Sequence, residues 1–195
     1  MATSDAQICI DGFPRSGNTY FVSAFRSWNH GLNASHHTHL AGSVKYALKH
    51  DTPTAVLIRS PEDVLSSVLV WDGLLSTTVA LLSYISFYRS LWKYRDNFIV
   101  LSFEDVTQAP DICVQKINRR FNRQFNAEEF SVEVDKSIRA RLERADLQHH
   151  RKGVNSSLPN SDKSHLKMRY AKNVQDNYLY PYAKSIFQKY IKLSG

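Results

Sequence analysis

Gln7-Ile-Cys-Ile-Asp-Gly-Phe-Pro-Arg-Ser-Gly-Asn-Thr-Tyr-Phe-Val-Ser-Ala-Phe-Arg-Ser-Trp28 is the stretch whose reading decides the fold. Ile8, Cys9 and Ile10 form a short apolar run that predicts a buried strand. Gly12 to Gly17 is a turn punctuated by glycine and proline, and from Tyr20 to Trp28 apolar residues resume at helical spacing. Strand, glycine loop and helix in this order are what a phosphate-binding loop needs, because the loop N–H groups and the positive end of the following helix converge on an anion. Gly12 and Gly17 stand at the two glycine positions of the Walker pattern and Thr19 at its hydroxyl position, but Asn18 replaces the lysine. The nearest cation is Arg15, inside the loop. Such a loop suits a phosphate-like group without the usual kinase lysine.

Working outward, strand and helix patterns alternate. A turn over 29–33 leads to a candidate short strand over 34–40 that ends in histidines, then a helix over 42–50 and the turn Asp51-Thr52-Pro53. Residues 54–58 are β-branched and apolar, a buried strand. Arg59 and Ser60 follow, and Pro61-Glu62-Asp63 carries the proline and acids of a helix's first turn. That helix runs to Trp71; a long apolar helix spans 75–94, a strand 98–103 and a helix 110–121. Four alternations predict an α/β protein, a parallel β-sheet flanked by helices. Beyond it the chain becomes helical: a charged amphipathic helix over 132–147, an aperiodic loop over 149–164, and one or two helices over 173–193 whose tyrosines read as packing residues. One domain, residues 1–195, suits this length.

Composition bounds the function. Lysine and arginine exceed aspartate and glutamate by 25 to 18, a net charge of +7, which favours an anionic partner. Cys9 and Cys113 read as reduced core residues. The first residues carry no basic region followed by an apolar stretch, and the longest apolar run, 74–92, is broken by polar residues and Arg89. The expectation is a cytoplasmic protein with no stable membrane insertion. Basic residues cluster in loops rather than along one helix, so no nucleic-acid partner is expected.

Three further stretches gain meaning beside the loop. Arg59-Ser-Pro-Glu-Asp-Val-Leu-Ser-Ser67 starts at the carboxyl end of a predicted strand, where ligands bind in open α/β sheets, with a guanidinium suited to phosphate. Arg151-Lys152-Gly153 sets two cations and a glycine in an irregular loop, and His36, His37 and His39 form a histidine group.

Phe13-Pro-Arg-Ser-Gly-Asn-Thr-Tyr20 resembles the 5′-phosphosulfate loop of sulfotransferases that use 3′-phosphoadenosine 5′-phosphosulfate (PAPS). Arg59 to Ser67 resembles their 3′-phosphate motif, with arginine and serine at the family's separation. Arg151-Lys152-Gly153 is similar to the late Arg-Lys-Gly that closes over the 3′-phosphate, and His37-Thr38-His39-Leu40 to the Lys-Thr-His-Leu that carries the catalytic base. Phe103-Glu104-Asp105 stands where the family has an aromatic residue followed by Glu-Asp. All five occur in the family's order over roughly residues 8–165.

The resemblance implies a P-loop NTPase-like sulfotransferase fold with a helical C-terminal part. It also implies transfer of a sulfuryl group from PAPS to a hydroxyl or amine of an unidentified acceptor, leaving 3′,5′-diphosphoadenosine. Arg15, Ser16, Gly17, Asn18, Thr19 and Tyr20 would bind the nucleotide with Arg59, Ser67, Phe103, Arg151, Lys152 and Gly153. Arg15 would stabilise the leaving oxygen, and His39 would act as general base with His37 as its competitor. No metal is expected, because a sulfuryl carries less charge than a γ-phosphoryl. The chain departs from the family in lacking Gly-Asp-Trp-Lys after Arg-Lys-Gly, in the short interval between Arg15 and His39, and in its missing dimer motif. Two alternatives stand beside this one. One is a P-loop kinase for a nucleotide or small molecule, disfavoured by the absent lysine and by the lack of a clear acidic strand end of the Walker-B type. The other is a non-catalytic protein that binds PAPS or another nucleotide.

Overall fold

The computed structural model describes residues 5–149 and 161–194, side chains of 161–163 aside. Its centre is a four-stranded, all-parallel sheet of β1 (Ile8–Gly12), β2 (Ala34–His36), β3 (Thr54–Ile58) and β4 (Ile99–Ser102), in the order β2-β1-β3-β4. β1 and β3 are buried along their whole length, as strands covered on both faces must be, and this is why they read as continuous apolar runs. Alternate residues supply two separate cores. Ile8, Ile10, Ala55, Leu57 and Leu101 face α1 (Asn18–Trp28) and α6 (Pro110–Phe121). Val56, Ile58 and Val100 face α3 (Pro61–Trp71), α4 (Thr77–Leu91) and α9 (Tyr180–Ile191), with Val44 of α2 (Ala41–Lys49). A third cluster joins Tyr20 and Ala24 to Val134, Ile138 and Leu142 of α7 (Val132–Gln148).

Helix starts follow local chemistry. Ser60 caps α3 ahead of Pro61, with the Asp63 N–H donating to its hydroxyl at 3.4 Å. Ser102 does the same for α5 (Phe103–Gln108), accepting from Asp105 N at 3.0 Å. Cys9 and Cys113 are both free and buried; burial, then the Asp11 charge, pushes the Cys9 thiol up to about 12. Of the C-terminal tyrosines Tyr190 is buried in the core, whereas Tyr178 and Tyr182 are exposed. Among the described residues no helix is long and apolar enough to cross a membrane.

Three boundaries differ from expectation. The second strand stops at His36 instead of continuing to Leu40, because His37 and His39 take left-handed backbone conformations, φ 55° and 53°. Phe103 opens a helix rather than ending a strand, since the Ser102 cap satisfies that helix's first turn. Residues 161–164, expected in a loop, begin α8 (Ser161–Gln175), which lies along α3.

Chain order runs β1 to β2 on one side, then back across β1 to β3. Parallel strands adjacent to β1 on both sides leave their carboxyl ends together, and ligands of open α/β sheets bind in the crevice at such a reversal. Gly12 is paired with Leu57, Ile10 with His36 and Ile58 with Ser102. The loop after β1, the histidines after β2, Arg59 after β3 and Phe103 after β4 therefore emerge at one edge.

Candidate functional site

The loop between β1 and α1 is fixed by close packing and by side-chain hydrogen bonds. A Cβ on Gly12 would stand 2.5 Å from the Leu57 carbonyl oxygen, so only glycine lets β1 and β3 meet here. Gly17 is left-handed, φ +93°, and a Cβ there would strike Val106 at 2.9 Å and Phe103 at 3.2 Å. Arg15 is left-handed as well, φ 67°, without being glycine. A non-glycine residue in this region is strained, and such strain concentrates where a backbone is shaped for function. Asn18, where a Walker loop has lysine, donates its side-chain N–H to the Phe13 carbonyl at 3.1 Å. It clamps the loop and is itself buried. Gly17 offers no side chain as N-cap, so the first N–H groups of α1 have no side-chain cap and keep their capacity for an anion.

Two arginines gather at this loop. Arg15 Nε donates to Ser67 Oγ of α3 at 3.1 Å. Arg59 Nη1 donates to the Arg15 carbonyl at 3.3 Å, and its guanidinium lies 3.8 Å from the centre of the Phe103 ring. Tyr84 donates to the Arg59 carbonyl at 3.0 Å, holding the backbone behind it. Arg59 Nε is buried and makes no hydrogen bond among the described residues. Burial lowers the Arg59 pKa, opposed by the charges of Asp63 and Glu104.

The histidine segment is organised by Asp11, which sequence reading passed over. Its carboxylate is fully buried at the end of β1 and accepts from Gly12 N at 2.8 Å, Thr38 N at 3.0 Å, Thr38 Oγ1 at 2.5 Å and His39 N at 3.2 Å. His39 Nδ1 donates to the Gly12 carbonyl at 2.9 Å and stands 3.6 Å from Asp11 Oδ1. In the neutral ring that donates through Nδ1 the lone pair is on Nε2, and the side chain is 29% exposed. His37 instead turns to the loop helix, its Nε2 at 3.0 Å from Thr19 Oγ1, and meets His36 through its other nitrogen. Burial lowers the His36 pKa, helped by Arg26 and opposed by Asp11.

Arg15, Gly17, Asn18, Thr19, Arg59, Ser67, Phe103 and His39 thus meet at one edge of the sheet, whereas two expected residues, Ser16 and Tyr20, turn inward. Ser16 is fully buried, with its hydroxyl beside that of Tyr88 in the core. Tyr20 packs in the third cluster, and its hydroxyl donates to Asp135 of α7 at 2.6 Å. Burial and this bond raise the Tyr20 pKa. Its ring is engaged by α7 rather than open to an adenine. Arg151, Lys152 and Gly153 lie outside the described residues. Among the described residues no cluster of three or more His, Cys, Asp or Glu side chains is arranged to hold a metal ion.

Beside His39 a shallow cleft of about 430 Å³ runs between the start of α2 and α4. Leu40, Val79, Leu82 and Phe87 give it apolar walls, and Ser83 and Ser86 add hydroxyls. The chain matches no protein-family model and no curated protein sequence.

Proposed function

We propose that this chain is a PAPS-dependent sulfotransferase with a P-loop-like nucleotide site. The observation that carries the reading is the Arg15–Ser67 hydrogen bond of 3.1 Å with Arg59 Nη1 on the Arg15 carbonyl. These contacts unite, across 52 residues, the two motifs that the family resemblance assigns to the two phosphates of one nucleotide. The uncapped start of α1 and the buried Arg59 Nε supply donors of the kind a phosphate needs.

The chemistry follows from the residues. An acceptor hydroxyl or amine in the cleft beside His39 attacks sulfur while the S–O bond to the phosphate breaks. His39 Nε2 takes the acceptor's proton, with the ring held by the Gly12 carbonyl and Asp11. Negative charge grows on the departing phosphate oxygen, and Arg15 with the loop N–H groups stabilises it electrostatically. The products are the sulfated acceptor and 3′,5′-diphosphoadenosine. A neutral cleft wall of leucine, valine, phenylalanine and serine suits an uncharged hydroxylated acceptor.

Calorimetric titration of the full chain tests the nucleotide site. Diphosphoadenosine should bind without Mg²⁺ and more tightly than ATP. Binding abolished by EDTA, or a preference for Mg-ATP, refutes the reading and favours a kinase. Incubation with radiolabelled PAPS and a panel of phenols, alcohols and amines tests transfer. Diphosphoadenosine binding with no labelled product from any acceptor would leave a non-catalytic nucleotide binder.

A further inference from the structure

The cleft beside His39 continues along the surface of the molecule. Tyr84 donates to the Arg59 carbonyl at 3.0 Å and Tyr88 to the Leu57 carbonyl at 2.8 Å, so α4 runs from the carboxyl edge of the sheet toward the amino edge. α2 starts at the same edge, just after His39, ends shortly before β3 begins, and packs against α4. A 3-10 turn over Trp92–Asn97 prolongs α4 up to β4. Past the cleft lies a second hollow of about 470 Å³, lined by Lys45, Leu48 and Lys49 of α2 and by Tyr94 and Asn97 of that turn.

The two hollows share both walls. On α2, Ala41 of the first is followed by Lys45 and Leu48 of the second at steps of four and three residues. On the other wall, Ser83, Ser86 and Ser90 of the first are followed by Tyr94 and Asn97 of the second at steps of three or four. Residues so spaced lie on one helix face, so the hollows are successive parts of one groove. Its two ends differ. Beside His39, Leu40, Val79 and Leu82 are exposed apolar walls, a surface that gains from being covered by an apolar body. Further along, the charged lining residues are Lys45 and Lys49, and no carboxylate lines either part. Neither lysine has an ion pair or hydrogen bond among the described residues. Asp51 follows α2 and Asp96 sits in the turn, but neither lines the groove, and Asp96 pairs with Arg95 at 3.8 Å. At the helical rise, Lys45 and Lys49 stand about 6 and 12 Å along the axis from Ala41.

We propose that this groove takes the acceptor as an elongated hydroxy acid. Its hydroxyl lies at His39, its apolar body on Leu40, Val79 and Leu82, and a carboxylate or similar anion at Lys45 and Lys49. The neutral walls meet the reacting end alone; the charge of the acceptor lies beyond them. The assignment rests on the reading of the His39 cleft as the acceptor site. It makes Lys45 and Lys49 specificity residues that touch no reacting atom.

The probe is 10-hydroxydecanoate, whose chain is of comparable length, with the uncharged decane-1,10-diol as its match. Titrated calorimetrically against the full chain, the acid should bind about tenfold more tightly than the diol, through its charge-assisted contact. Combining Lys45→Ala with Lys49→Ala should abolish that preference and leave the affinity for the diol unchanged. Lys45→Arg with Lys49→Arg should keep the preference, and Lys136→Ala, exposed on α7, should change nothing. Added salt should weaken the acid and spare the diol. With labelled PAPS, the double alanine variant should raise KM for the acid at unchanged kcat. Equal affinity for acid and diol, or an acid affinity untouched by the double alanine variant, overturns the inference. If the diol is sulfated in that case, the sulfotransferase reading stands without it. Lysine-dependent binding of the acid, with no acceptor sulfated at all, upholds the anion end of the groove and removes the transferase reading instead.

Discussion

Replacing Asp11 by asparagine tests the arrangement on which His39 depends. Oδ2 accepts from the N–H and hydroxyl of Thr38, and Oδ1 from the N–H groups of Gly12 and His39. An amide presents one oxygen and one NH₂, so whichever way it turns, two donors face a donor. The less costly orientation puts NH₂ toward Thr38, whose hydroxyl can rotate to accept; Thr38 N–H then has no acceptor. One unmet donor costs about 1–3 kcal/mol, and the remaining bonds fall from charged to neutral strength, losing about 0.5–1 kcal/mol each. The sum is a destabilisation of about 2–5 kcal/mol, measured as the urea midpoint shift at unchanged slope. Thr38→Val alone should cost about 1–2 kcal/mol, and the double variant should show coupling above about 0.5 kcal/mol. A loss below about 1 kcal/mol for Asp11→Asn would refute the claim that this carboxylate holds the segment whose His37 and His39 are left-handed.

Gly17→Ala should cost about 1–2 kcal/mol from its left-handed backbone alone, with the contact to Val106 adding to it; a melting temperature equal to wild type would contradict the geometry. His39→Ala should lower sulfuryl transfer by roughly 10²–10⁴ while diphosphoadenosine affinity stays within about twofold; if His37→Ala alone has this effect, His37 is the base. Burial acts to raise the Asp135 pKa, but hydrogen bonds from Arg139 and Tyr20 override it and hold the carboxyl below its ordinary value. Its folded value lies under the unfolded one, so its contribution is complete above about pH 4 and is lost as pH falls through the folded pKa. Asp135→Asn should therefore destabilise at neutral pH and converge on wild type in acid; a constant difference at all pH values would exclude the charge as the cause. Lys167→Met should raise the melting temperature by removing a half-buried charge, whose pKa burial lowers, from an apolar stripe; a lowered melting temperature would mean that the lysine is structural.

The sheet was legible because its strands are buried on both faces. Residues 8–10 and 54–58 have no polar face to confuse with a helix, and β3 falls where the apolar run predicts. Pro61 with Glu62 and Asp63, and the glycines at 12 and 17, marked helix starts and loop ends by local sterics, which sequence carries directly. α5 was readable in principle, since Ser102 and Asp105 stand at cap spacing, but its six residues are too short for periodicity to register.

What escaped reading was decided by tertiary partners. The pattern over 34–40 suits a strand, and it is cut short by a buried carboxylate arriving from β1, whose side chain takes the backbone N–H groups that a neighbouring strand would have used. The family resemblance assigned Tyr20 to the nucleotide, but Asp135, 115 residues later, claims its hydroxyl. α8 hid for the opposite reason. Its inward stripe of Lys167, Tyr170 and Val174 holds a charge where a core residue would reveal the period, so its amphipathic pattern is weak. A helix that forgoes an apolar contact at such a position loses stability on its own account.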